Sequence, residues 1–186
     1  RVDEDPATGA ALAGGLNLVF VNGSSEIVSA RNGTSTAGNG ASTRPAIGGT
    51  SGDVVAFQSV ATDLVAGFTN ANAAGADVYV RNTTGNTTLL VSHAIGNAAT
   101  SGDGASENPA IDATGVAVAF ESDATDLIGA DLNALRDVFH ARIDSGSPFT
   151  KVRSSVSDNG AEATGGASSN ASIQVVGARA LVAFQS

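Results

Sequence analysis

One five-residue phrase occurs three times in this chain. It reads VAFQS at residues 55–59, VAFES at 118–122 and VAFQS again at 182–186. The three phenylalanines, Phe57, Phe120 and Phe184, are spaced by 63 and 64 residues. So long and steady a period implies an array of similar supersecondary units, one per period. The units run over residues 1–59, 60–122 and 123–186.

Each period carries four apolar segments. The first follows a Ser/Gly/Asn tract and reads Pro45-Ala46-Ile47, Pro109-Ala110-Ile111 and Ala171-Ser172-Ile173. Proline is tolerated at a strand start, where its missing N–H costs least. The second is the anchor phrase, at 54–59, 116–122 and 181–186. Its apolar residues run on without alternating, which predicts strands covered on both faces. The third reads Asp77-Val78-Tyr79-Val80 and Asp137-Val138-Phe139-His140, with a weaker counterpart Leu18-Val19-Phe20-Val21. The fourth lies at 87–92, 149–154 and 26–29. Tight-turn residues join third to fourth: Asn22-Gly23, Thr84-Gly85-Asn86 and Ser145-Gly146.

These signals predict an all-β fold of four short antiparallel strands per unit, the pattern of a β-propeller blade. A β-solenoid is the competitor, but its coils repeat over shorter periods. A helix over 124–136 would have irregular apolar spacing at Leu127, Ile128, Leu132 and Leu135. Two blades are complete, at about 42–92 and 106–154. A third is split between the termini, 168–186 with 18–29. Three blades are too few for a ring, which takes four to eight. The chain is expected to belong to a longer propeller or to pair with a second copy that completes the split blade.

The phrases GASENPAIDATGVAVAFESDATDL (104–127) and DLNALRDVFHARI (131–143) resemble the bacterial WD40-like β-propeller repeats related to the TolB propeller. The resemblance implies a propeller outside the cytoplasm: secreted, at the cell surface or periplasmic. It is nearly silent on activity, because propellers host many functions. The expected role is a non-catalytic binding or scaffold module with a protein, lipoprotein or glycan ligand. Alternatives are a self-assembling structural protein and the accessory propeller of a larger enzyme.

Charge and composition remove several classes. Eighteen acids oppose nine bases, a formal charge of −9, so nucleic acid and anionic membrane are poor partners. No apolar run is long enough for a membrane-spanning helix, and no signal peptide is visible. The chain starts at Arg1 and lacks Met, which is expected of a mature product or fragment. Without cysteine there is no disulfide, thiolate metal site or cysteine nucleophile.

Candidate chemistry is sparse. Asp131, Asn133 and Asp137 form D-x-N-x-x-x-D, a loop pattern whose oxygens suit calcium, and the family-like reading adds Asp126. The competing reading is that Asp and Asn simply build turns. The second period's loop, Phe68-Thr69-Asn70, lacks the first acid, and the first period keeps only Asp3-Glu4-Asp5. No phosphate loop, dinucleotide fingerprint or G-x-S-x-G elbow occurs. His93 and His140 have no ligand-spaced partner, and nothing sets the separation of Glu107 and Glu121 as an acid–base pair. Asn-x-Ser/Thr glycan acceptor sequences begin at Asn22, Asn32, Asn82, Asn86 and Asn170.

Overall fold

The computed structural model describes residues 16–19, 25–129 and 131–186. Among them the chain is all-β, without a helix; residues 124–129 and 131–136 are loop. Phe20, Val21, the Asn22-Gly23 turn and Asp3-Glu4-Asp5 lie outside the described residues.

Two four-stranded antiparallel meanders form the centre. The first orders β3 (Ser42–Gly48), β4 (Val54–Ser59), β5 (Asp77–Asn82) and β6 (Thr87–Leu90). The second orders β7 (Ser106–Ile111), β8 (Ala117–Ser122), β9 (Asp137–Arg142) and β10 (Lys151–Arg153). Their registers match residue for residue. Phe57 pairs with Tyr79 as Phe120 pairs with Phe139, and Ser59 with Asp77 as Ser122 with Asp137. Two separate hairpins flank them, β1 (Asn17–Val19) with β2 (Ser25–Ile27) and β11 (Ser169–Val176) with β12 (Arg179–Gln185). Among the described residues these hairpins do not share a ladder, and no sheet closes on itself.

The VAFxS phrase explains the stacking. Side chains alternate across a strand, so Val55 and Phe57 face one way while Ala56 and Gln58 face the other. Val55 and Phe57 join Val28, Leu64, Tyr79 and Leu90 in a core against the N-terminal hairpin. Val118 and Phe120 join Ala56, Val78, Val80 and Val91 in the core between the two four-stranded sheets. The second sheet thus sets its large residues against the small Ala56 of the first. Interdigitation of this kind keeps interiors close-packed. In β12 only one face is covered: Val182 and Phe184 are half-buried, Ala183 and Gln185 exposed. The two-sided cover expected of the phrase holds for β4 and β8 and fails for β12.

The final serine of the phrase fixes the strand end. The Ser59 hydroxyl donates to the Ala41 carbonyl at 3.1 Å and accepts from the Ala61 N–H at 3.0 Å. Ser122 does the same with Ala105 at 3.3 Å and Ala124 at 3.0 Å. At the opposite end, the 112–115 turn needs glycine twice over. Gly115 has φ +72°, and a Cβ there would lie 2.6 Å from the Gly49 nitrogen of the first sheet.

Candidate functional site

The first strands of three successive sheets break register at the same place. Shifts fall between Thr43 and Ala46, Glu107 and Ala110, and Ser169 and Ser172. Arg44, Asn108 and Asn170 at these bulges have φ of 56°, 52° and 55°. Asparagine accepts this left-handed backbone with little penalty, whereas arginine does so rarely. Strain of this kind clusters at functional positions.

At Asn108 and Asn170 the bulge turns the backbone N–H toward the neighbouring sheet. The Asn108 N–H donates to Gln58 Oε1 at 2.9 Å, and the Asn170 N–H to Glu121 Oε1 at 2.8 Å. The asparagine side chains reach their own second strands: Asn108 Nδ2 to Glu121 Oε2 at 2.8 Å, Asn170 Nδ2 to Gln185 Oε1 at 2.6 Å. A polar relay thus runs from Gln58 through Asn108, Glu121 and Asn170 to Gln185. Position four of the VAFxS phrase is what carries it. Over this relay opens a groove of about 260 Å³, lined by Arg44, Pro45, Asn108, Pro109, Glu121 and Asn170.

Glu121 is 2% exposed and sits at the node of the relay. Arg136 approaches it at 3.5 Å and pairs more closely with Glu107 at 2.9 Å and Asp123 at 2.6 Å. The hydrogen bond to Asp123 raises the basicity of this guanidinium. The structure therefore brings Glu107 and Glu121 together around a shared cation.

Asp131, Asn133 and Asp137 also converge. Arg153 lies among them, with Nη1 3.0 Å from Asp131 Oδ1 and 3.2 Å from Asp137 Oδ2. Its Nη2 meets Glu162 at 2.7 Å. Asn133 donates to Asp137 at 3.1 Å and accepts from the Leu135 N–H at 2.9 Å. The donors are committed to a guanidinium and to turn backbone, which leaves a poor fit for calcium. Asp126 instead accepts from the Asp103 N–H. Among the described residues no group of three or more His, Cys, Asp or Glu is arranged to hold a metal ion.

In the first sheet the same loop carries Asn70, Asn72 and Asp77, Leu90 stands where Arg153 does, and Ser101 where Glu162 does. The equivalence shows in the bonds: Ser101 Oγ accepts the Ala71 N–H as Glu162 Oε1 accepts the Leu132 N–H, each at 2.8 Å. Without the cation, burial pushes the Asp77 carboxyl up to about 7, against hydrogen bonds from Ser92 and Asn72. A carboxyl raised on folding favours the fold at low pH and withdraws that support as pH rises through about 7. Asp77→Asn removes this dependence. Its stability advantage over wild type should grow by about 2–3 kcal/mol between pH 5 and pH 8, measured by urea denaturation at each pH.

His140 accepts or donates at Ser154 Oγ, 2.9 Å away, and His93 is buried beside Lys151. The amides of four acceptor sequences are engaged in the fold. Asn32 Oδ1 accepts from Thr88, Asn82 Oδ1 from Gly85 and Asn86 Oδ1 from Arg81, and Asn170 donates to Gln185. Asn22 lies outside the described residues. Sequence reasoning missed Arg44, Arg136, Lys151 and Arg153. The scarcity of bases in an acidic chain was the one available signal, and Arg136 and Arg153 each meet three acids. No protein-family model matches the chain, and no curated protein sequence matches it at a significant level.

Proposed function

We propose that the chain forms blades of a WD40-like, TolB-related β-propeller and serves as a non-catalytic binding module outside the cytoplasm. The matched registers of the two meanders and their large-on-small stacking support the propeller reading. The groove over the three bulges carries the binding reading. It is polar, places an exposed arginine beside amides and a buried carboxylate, and carries left-handed backbone at all three bulges. Such a surface suits a ligand rich in hydrogen-bonding groups, a glycan or a polar protein segment. Screening the chain on glycan and peptide arrays should yield a ligand whose affinity falls at least tenfold, about 1.4 kcal/mol, in Arg44→Glu. Failure of both arrays, or undiminished affinity in the variant, would sink the reading.

A second reading, self-association of copies, draws on exposed apolar side chains: Ile47 of β3 is 58% exposed, Val176 of β11 58% and Leu181 of β12 50%. Light scattering should then report a dimer or larger species, and a monomer at high concentration overturns it.

A further inference from the structure

The junction between the two four-stranded sheets holds a histidine whose protonation state is dictated by its neighbours. His93 follows β6 and is 1% exposed. Its Nδ1 lies 2.7 Å from the Ala94 carbonyl oxygen, which can only accept, so Nδ1 carries a proton. Its Nε2 lies 2.9 Å from the Phe149 N–H, which can only donate, so Nε2 must be bare. The ring is therefore neutral, in the Nδ1–H form.

Lys151 enforces this from a third direction. Its Nζ is 3.0 Å from Nδ1 and 3.3 Å from Nε2. An atom so nearly equidistant from both nitrogens lies over the ring face, on neither in-plane lone pair. An ammonium can rest against a neutral ring in this way. It cannot rest there against an imidazolium without strong repulsion.

The bond from Phe149 to His93 spans the two sheets. Phe149 leads into β10 and is buried in the core that the sheets share, and its ring lies 6.2 Å from that of His93. Lys151 is the charged group that faces His93 across the junction. Asp126, with Asp103 beside it, is the carboxylate whose field reaches Lys151. The first sheet meets the N-terminal hairpin differently. There the residue in register with Arg81 is Thr88, whose hydroxyl donates to the Ala30 carbonyl at 2.7 Å, a link that does not titrate.

We propose that His93 is an acid-sensitive latch between the two central sheets, released when Nε2 takes a proton and gives up the Phe149 N–H. Burial and the Lys151 charge both hold the proton affinity of His93 below its ordinary value. A histidine depressed on folding contributes stability above about pH 6.5 that is lost as pH falls through its lower folded value. Release would loosen the lead-in to β10 and leave the ladders of β7 to β9 paired.

Imidazole nitrogen NMR at pH 7.5 should report the neutral Nδ1–H form at His93. Hydrogen-exchange protection of the Phe149 amide, normalised to that of Phe57 in β4, should fall at least tenfold between pH 7.5 and pH 4.5. In His93→Gln the ratio should stay flat. In Lys151→Met the fall should move to higher pH, because the opposing charge is gone. Should His93→Gln fail to fold, the wild-type titration and Lys151→Met carry the test. An Nε2–H or protonated ring at pH 7.5, a flat wild-type ratio, an equal fall in His93→Gln, or an unmoved midpoint in Lys151→Met overturns the latch.

Discussion

Arg153→Met should cost the fold about 3–5 kcal/mol at pH 7, measured by urea denaturation. Arg153 is the guanidinium between Asp131, Asp137 and Glu162, and its side chain is 8% exposed. The side chains of Asp131 and Asp137 are 3% and 2% exposed. Removing one partner of a buried network leaves charges that neither water nor protein compensates, which costs far more than the pair contributed. The first sheet supplies its own control. It occupies the same positions with Leu90, Asn70 and Ser101 and keeps only the buried Asp77, whose carboxyl burial pushes up to about 7. Transplanting that set as Arg153→Leu, Asp131→Asn and Glu162→Ser should recover more than half of the loss. An Arg153→Met variant as stable as wild type would show that the cluster is solvated in solution.

Phe120→Ala should cost about 3–5 kcal/mol by the same measurement. Phe120 is 0% exposed, packs into the core shared by the two central sheets and stacks on Phe139 with centroids 6.0 Å apart. Truncation removes apolar contact and leaves a cavity between two sheets that are each held stiff by their own ladders, so collapse is limited. Phe184→Ala, the same letter of the same phrase, should cost less than half as much, because Phe184 is only half-buried. Equal costs at Phe120 and Phe184 would mean that β12 is covered in solution by a further sheet, whether from a second copy or a longer chain.

These two predictions mark how far the sequence could be read. Strand positions were legible because the apolar runs are short, β-rich and punctuated by Gly, Asn and Asp. The predicted segments at Pro45, Val54, Asp77 and Thr87 became β3 to β6, and their counterparts became β7 to β10. The bulges were less legible. Arg44 and Asn108 stand before prolines, which suggested strand starts, yet they lie inside β3 and β7 with left-handed backbone. Nothing local in Glu121 distinguishes it from Gln58. Its role at the node appears only when Asn170, 49 residues later, donates to it.

The candidate calcium loop shows the same limit. The D-x-N-x-x-x-D spacing does bring its side chains together, as the sequence implied. What fills the space between them is set by β10, whose Arg153 follows Asp137 by 16 residues. Spacing along a loop encodes which oxygens converge, and not whether a cation from another strand already stands there.

By itself, the sequence determined the strand alphabet: a period of 63–64 residues, four strands in each, and an apolar anchor phrase that recurs in every period. Those are properties of residues near one another in the chain, and local sterics and burial suffice to specify them. The tertiary structure decided which faces are covered and which charges meet. It placed Phe120 in a closed core and left Phe184 half-open, surrounded Arg153 with three acids and left Asp77 to Ser92 and Asn72, and set Lys151 over the ring of His93, 58 positions away. Burial and charge pairing depend on distance in space, and stacking one sheet on the next is what converts long separations in sequence into contacts of about 3 Å.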